Sequence, residues 1–398
     1  MASFVRIDTA NKEKCCGCGA CVVACPSACI RMQPDEEGFD YPIIDVSACV
    51  DCGKCLACCG MQNPQNLHPV EAAYAAWHTD DAVRREGTSG SAFAAIADTV
   101  FRSHGAVAGA MFCDGFHAVK HVVVETIQAL QALHGSKYVQ SETADCFRAM
   151  GARLHAGQIV FFSGTPCQVG SVRRLAEHWH ATDRLITCDI VCHGVPSPKV
   201  FRNYVTELER TQESKIVDYS FRDKKLGWNF PRVRIAYANG VATRRIPWAD
   251  AYFWGYSINA FLRPCCYVCP YATAQRAGDL TLADCWRVAA SHPQYDDNQG
   301  TSLVLENTAK GRELLRETQT RNLLFMGQYD FRLACERNTP LRQSSPEPSV
   351  RKRFFDVLRD TGSFSKAATL YMNRRFLLQK QAERVVKYFF WPLLRRLQ

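Results

Sequence analysis

The chain has 398 residues, 47% of them hydrophobic and 22% charged, with a formal charge of +9; this is the composition of a globular protein and excludes a disordered tail. The opening MASFVRIDTANKEK lacks the apolar core of a secretory signal, and no stretch reaches the roughly 18 apolar residues of a membrane span, so a cytoplasmic protein without a transmembrane segment is expected. In a reducing compartment its 21 cysteines argue for metal binding or redox chemistry over structural disulfides.

Eleven of those cysteines fall between Cys15 and Cys59. The run CCGCGACVVACP places Cys15, Cys18, Cys21 and Cys25 at x2-x2-x3 spacing before Pro26, and CVDCGKCLACC repeats it with Cys49, Cys52, Cys55 and Cys59. This is the ligand pattern of a bacterial-type ferredoxin with two [4Fe–4S] clusters. Three cysteines wrap one cubane in a tight loop, and the fourth starts a short helix and points to the other. One cluster is therefore assigned to Cys15, Cys18, Cys21 and Cys59, the other to Cys49, Cys52, Cys55 and Cys25. Gly17, Gly19 and Gly53 let the backbone approach the sulfurs. Zinc is the competing reading of paired C-x2-C, but two successive runs of this form fit it poorly. Gly60 stands where a second proline is usual, and Cys58 is an extra thiol beside Cys59. Cys16 and Cys29 fall outside the spacing and read as small buried residues. MQNPQNLHP (61–69) reads as a linker, giving a first domain over 1–66, a second over 67–350 and a helical tail over 351–398.

Beyond Pro69 the pattern alternates. Strands are expected over 104–113, 118–125, 158–164, 184–191, near 215–221, 231–237 and 279–283, and over 302–307. Helices are expected over 144–157, 166–180, 198–210 and 308–320. The fold class is thus α+β/α/β, a ferredoxin module fused to a mixed sheet covered by helices. The last stretch, about 352–398, is basic and amphipathic and ends YFFWPLLRRLQ; it reads as a packing or docking helix, with a membrane-surface contact as the minority reading.

Several loops of the second domain carry chemistry. EGTSGSAFAAIADTV (86–100) is a small-residue loop feeding a helix, with Ser89 as its expected N-cap and free N–H groups suited to a phosphate. GSKYVQS (135–141) offers Lys137 for a phosphate and Tyr138 for a ring. FFSGTPCQVG (161–170) ends a buried strand in Gly164-Thr165-Pro166 and puts Cys167 and Gln168 at a helix N-terminus, where open α/β sheets bind ligands. CDIVCHGVPSP (188–198) repeats the arrangement around Cys192 and His193. With Cys266-x2-Cys269 there are four thiols for a third site, fitting a further cubane or a zinc.

The series GTSGSAF, GSKYVQS, SGTPCQ, CDIVCHGVPSPKV, FRDKKLGW, RPCCYVCP, GDLTLADCW and GTSLVLENTAKG resembles the coenzyme F-420 hydrogenase/dehydrogenase beta-subunit family, in its bacterial branch with a fused two-cluster ferredoxin, over about residues 10–315. The resemblance implies an oxidoreductase with FAD beside a third [4Fe–4S] cluster held by Cys167, Cys192, Cys266 and Cys269. It implies flavin contacts at Thr88, Ser89, Gly90, Ser91, Lys137, Tyr138, Gln140, Gly164, Thr165 and Gln168. Ser91 replaces a usual glycine, and Cys285 a usual phenylalanine; Cys285 reads as an inert buried thiol ahead of an alternative ligand to Cys266 or Cys269, and Cys265 is ambiguous in the same way. His193 and Lys137 are candidate proton donors or anchors, and Arg222, Asp223 and Lys224 candidate grips on an acidic group. Electrons would pass from a ferredoxin-like donor through the clusters to FAD, then to a small-molecule substrate or a deazaflavin, in a setting such as polysaccharide biosynthesis. The alternative is a non-catalytic electron-transfer subunit of a larger complex. Net charge suits anionic partners, without a nucleic-acid signature; an oligomer is compatible with the sequence.

Overall fold

A computed structural model describes residues 6–372. The N-terminal module is built on the hairpin β1 (Ile30–Pro34) and β2 (Asp40–Ile44), paired antiparallel, with two short helices, Ala20–Ala24 and Lys54–Ala57. Gly19 (φ 71°) and Gly53 (φ 73°) precede those helices in the left-handed region, which glycine enters without steric cost.

The remaining strands are β3 (Ala72–His78), β4 (Ala106–Cys113), β5 (Ala118–Val124), β6 (Val160–Gly164), β7 (Leu185–Ile190), β8 (Ile216–Asp223), β9 (Arg232–Tyr237), β10 (Ala242–Arg245), β11 (Leu280–Asp284), β12 (Ser302–Glu306) and β13 (Leu324–Gln328). Eight of them form one mixed sheet in the order β13-β3-β12-β11-β7-β6-β4-β5, and β10-β9-β8 form a second, smaller sheet. Pairings β4–β6, β6–β7 and β7–β11 are parallel. Helices Ala92–Arg102, Ala144–His155, Pro166–His178 and Ala309–Thr320 cover the large sheet. Val160, Phe161 and Phe162 of β6 are completely buried, as expected of a strand with neighbours on both edges and helices on both faces. Each such side chain contributes roughly 1.5–3 kcal/mol of burial.

The parallel arrangement aligns the carboxyl ends of β6, β7 and β11, and the loops leaving them hold the residues of interest. At the end of β7, Asp189 is fully buried and pairs with the equally buried Arg276 at 2.6 Å. Asp189 also accepts from the Ala277 and Gly278 N–H groups. This fastens the segment after Cys269 to the strand that leads into Cys192.

The structure departs from the sequence expectation in several places. β3, β10 and β13 have no counterpart among the expected strands, although β3 lies between β12 and β13 inside the sheet. The helix after the small-residue loop is capped by Ser91 (φ 59°), not Ser89, whose hydroxyl donates instead to the Thr301 carbonyl. Of the tail, Val350–Thr361 and Phe364–Ala368 are helices that bury Phe354, Leu358 and Phe364 against the aromatic core around Phe201, Tyr252 and Phe261. Residues 373–398, including YFFWPLLRRLQ, lie outside the described residues. Among the described residues no helix is long and apolar enough to cross a membrane.

Candidate redox site

The N-terminal cysteines gather into two sets. Cys15, Cys18, Cys21 and Cys59 form one: burial pushes the Cys21 thiol well above its ordinary pKa, and nearby Cys18, Cys15 and Cys59 push it further. Cys59 is driven up to about 12 by burial and then by Cys18. Cys25, Cys49, Cys52 and Cys55 line a small cavity, together with Cys29, whose sulfur lies 3.4 Å from that of Cys25. Of the thiols at issue, Cys58 points the other way. It is 1% exposed and packs in the core shared with the second domain, leaving Cys59 to face Cys18 and Cys15.

The third set is assembled from distant segments. Cys167, at the second position of helix Pro166–His178, Cys192, in the loop after β7, and Cys266 and Cys269 all line one cavity. Burial raises the Cys192 thiol well above its usual range, and Cys266, Cys167 and Cys269 add to the shift. The Val195 N–H donates to the Cys266 sulfur at 3.4 Å. Cys265 and Cys16 also border this cavity, whereas Cys285 packs beside Trp228, Val288 and Tyr329, away from it. Four thiols lining one cavity are a ligand number that a cubane or a zinc ion takes.

A larger cavity of about 340 Å³ opens at the carboxyl ends of β6, β7 and β11 and at the start of helix Ala92–Arg102. Its volume lies in the range of small-molecule and cofactor sites. Thr88, Ser89, Ser91, Lys137, Tyr138, Gly164, Thr165, Gln168 and His193 line it. Gly90 and Gln140 do not. The Gly90 N–H donates to Ser302 Oγ, and the Gln140 amide donates to the Cys16 carbonyl while accepting from Arg263. Thr165 and Gln168 form a capping box, with the Thr165 N–H donating to Gln168 Oε1 at 2.9 Å. Lys137 donates to the carbonyls of His134 and Gly135, and burial lowers its pKa to about 7. His193 sits edge-on to Tyr256 at 5.0 Å. Its buried Nε2 has no hydrogen-bond partner among the described residues, and burial lowers its pKa. The loop Cys192–Val195 borders both this cavity and the four-cysteine one.

The other sequence candidates have structural employment. Arg222 pairs with Asp284 at 3.1 Å and lies over the Trp286 ring; Asp223 pairs with Arg244; Lys224 donates to the carbonyls of Arg84, Ser89 and Gln299. Sequence reasoning passed over His121, in the cavity wall. Its Nε2 stands 3.0 Å from the Ser163 carbonyl and must carry the proton there, which leaves Nδ1 as an unpartnered acceptor. Burial lowers its pKa to about 4, so it is neutral at pH 7. It also passed over His134, whose Nε2 is likewise unpartnered, and Arg263. Nothing local in HAVKHVVV marks His121, and His134 and Arg263 stand at the edges of GSKYVQS and RPCCYVCP, whose other residues drew the reading.

Two segments of the chain match known families in sequence. Residues 14–63 match the 4Fe-4S dicluster domain, and residues 157–330 match the C terminus of the coenzyme F420 hydrogenase/dehydrogenase beta subunit. An uncharacterized protein in the rpl9-rpl11 intergenic region of Porphyra purpurea is 41% identical over 49 residues, 12% of this chain; the chain spans 65% of that relative's length. The F420-reducing [NiFe] hydrogenase complex from Methanosarcina barkeri gives a TM-score of 0.49 at 14% identity, covering 69% of this chain and 91% of that one. Both sequence matches fall in one chain: residues 157–330 are similar to the C terminus of the coenzyme F420 hydrogenase/dehydrogenase beta subunit, and a 4Fe–4S dicluster domain stands ahead of that region.

Proposed function

We propose that the chain is an iron–sulfur flavoprotein oxidoreductase that takes single electrons from a ferredoxin-like donor and delivers them in pairs to a small-molecule substrate or a deazaflavin. One observation carries the reading: the loop Cys192–Val195 is a common wall between the four-cysteine cavity and the larger cavity, so a thiol ligand and a flavin-sized site stand back to back. Cubanes pass one electron at a time, and a flavin trades in one or two, so adjacency of the two sites is what such an enzyme requires.

In this reading Cys15, Cys18, Cys21 and Cys59, then Cys25, Cys49, Cys52 and Cys55, then Cys167, Cys192, Cys266 and Cys269 hold three [4Fe–4S] clusters. The second set faces outward, Cys52 being an exposed residue, and suits contact with the donor. The larger cavity holds FAD. Thr88 offers its hydroxyl, and the start of helix Ala92–Arg102 its N-terminus, to an anionic group, while the Ser89 and Ser91 hydroxyls hold the loop by donating to the carbonyls of Thr301 and Val83. Lys137 supplies a cation that gains and loses its proton near neutral pH. His121 Nδ1 accepts from a ligand N–H, and His193, between the two cavities, offers its unpartnered Nε2. The Tyr138 ring, stacked on Tyr256 at 4.7 Å, forms part of the wall. The 21 cysteines suit a reducing cytoplasm, and a nucleotide-linked sugar of polysaccharide biosynthesis is one substrate class that the net charge of +9 would attract.

The test is anaerobic purification with iron, sulfide and flavin assays, followed by turnover. About 12 iron atoms and one FAD per chain are expected from three cubanes. Zinc without iron removes the reading. Full loading without turnover of any small substrate, but with transfer to a second chain, replaces it with that of a non-catalytic electron-transfer subunit.

A further inference from the structure

Among the side chains that join the two modules is a cation whose hydrogen bonds reach no carboxylate. Arg263 is fully buried. Its Nε donates to the Cys15 carbonyl at 2.7 Å, Nη1 to Gln140 Oε1 at 3.0 Å, and Nη2 to the Asp40 backbone carbonyl at 2.8 Å. Nη2 also reaches the Cys15 sulfur at 3.6 Å. Every one of these acceptors is either a neutral oxygen or a thiol sulfur. The guanidinium carbon lies over the Tyr41 ring at 4.2 Å and the Phe39 ring at 5.4 Å, so its surroundings are aromatic and dry. It also presses on the ligand loop itself. A Cβ at Gly17, where φ is 71°, would fall 2.6 Å from Arg263 Nη1 and 2.5 Å from the Gln140 amide nitrogen.

A buried, unpaired guanidinium costs several kcal/mol unless a counter-charge stands nearby, and it cannot shed its proton. Two groups stand near enough to supply that charge: the Cys15 thiolate with whatever it ligates, which the guanidinium touches directly, and the Asp40 carboxylate, whose charged form Arg263 favours without a side-chain hydrogen bond to it. A four-thiolate cubane is anionic and gains a further negative charge on reduction. A cation fixed beside it, in a low dielectric where salt does not screen, therefore favours the reduced form, as does a hydrogen bond to a ligand sulfur.

We infer that Arg263 is a positioning residue that raises the reduction potential of the Cys15–Cys18–Cys21–Cys59 cluster above that of its outward neighbour, so that electrons arriving at the outer cluster settle on the inner one, against the second domain. The inference rests on the cubane reading proposed above. Cys18 Sγ lies 3.1 Å from Ser171 Oγ, whose hydroxyl donates to the carbonyl of Cys167, so the favoured cluster is the one that borders the third cysteine set.

The test is a redox titration of the full, reconstituted chain followed by EPR, with iron and sulfide assayed on the same samples. In the natural chain the inner cluster should have the higher midpoint, with Cys52→Ser used to mark the outer one. Arg263→Gln should lower the inner midpoint so that its reduced-to-oxidised ratio at a fixed potential falls at least tenfold, about 59 mV for one electron, and leave the outer midpoint in place. Arg263→Lys should restore most of the shift. Gln140→Glu sets a carboxylate against the same guanidinium without removing it and should move the inner midpoint in the same direction, which decides the matter if Arg263→Gln does not fold. An inner midpoint at or below the outer one in the natural chain overturns the inference, as do unmoved midpoints in fully loaded variants. A chain that takes up no iron or sulfide under strict anoxia overturns the cubane reading instead.

Discussion

The first and second domains collect their cysteines by opposite means. In the N-terminal module each set draws three of its four thiols from one short loop, and each loop turns on a left-handed glycine before a helix of at most five residues. In the second domain the four thiols come from positions 167, 192, 266 and 269, and only the parallel sheet brings them to one cavity. A ligand set local in sequence depends on local backbone geometry; one distributed over a sheet depends on everything that holds the sheet ends in register.

That contrast can be broken most severely at Asp189. Replacing Asp189 with Ala strands the buried Arg276 and two N–H groups, and should cost about 3–5 kcal/mol, read as a lower denaturant midpoint, with loss of iron from the Cys167 set before the N-terminal sets. Cys192→Ala should sharpen the same comparison without unfolding the chain: iron falls by about four atoms of about twelve, and the EPR signals of the two N-terminal clusters persist. Within the N-terminal module, Cys59→Ser should remove iron, whereas Cys58→Ser should leave iron content unchanged and cost about 1 kcal/mol of stability, because Cys58 only fills the joint core. A further effect is on pH dependence. Lys137 is held at about 7 by burial, below its value of about 10.4 in the unfolded chain. Between about pH 7 and 10 the unfolded chain keeps a proton that the folded one has released, so stability of the flavin-free protein rises with pH, by at most about 1.4 kcal/mol per unit. Lys137→Met should flatten that slope in unfolding curves measured across the window.

Much of this was legible in the sequence, for reasons that differ by element. β6 and β7 are runs of large apolar residues ended by Gly-Thr-Pro and by a glycine- and proline-rich loop, and both fall within two residues of where the pattern places them. β3, Ala72–His78, is four alanines among seven residues without a β-branched side chain; its strand state comes from pairing with β12 and β13, which no local preference reports. Ser89 reads as a cap because it precedes the helix, but its hydroxyl is taken by Thr301 across the sheet, and Ser91 takes the position in a left-handed conformation that explains why glycine is usual there. Gln140 sits in a motif whose neighbours Val139 and Ser141 line the larger cavity, yet its own side chain turns to Cys16 and Arg263. Spacing finds residues that act through their neighbours in the chain; it does not find those, such as Arg263 and His121, whose partners arrive from another segment.

The 61–69 stretch reads as a linker, and the two pieces it joins pack against each other. Cys16, Ala20, Ala24 and Cys58 share one apolar cluster with Phe147, Met150 and Leu175, and the Tyr271 hydroxyl donates to the Gly60 carbonyl. Cutting the chain at that stretch would unroof the larger fragment and leave it a greasy, self-associating surface. The piece an experimenter would be tempted to express alone is the one most prone to precipitate.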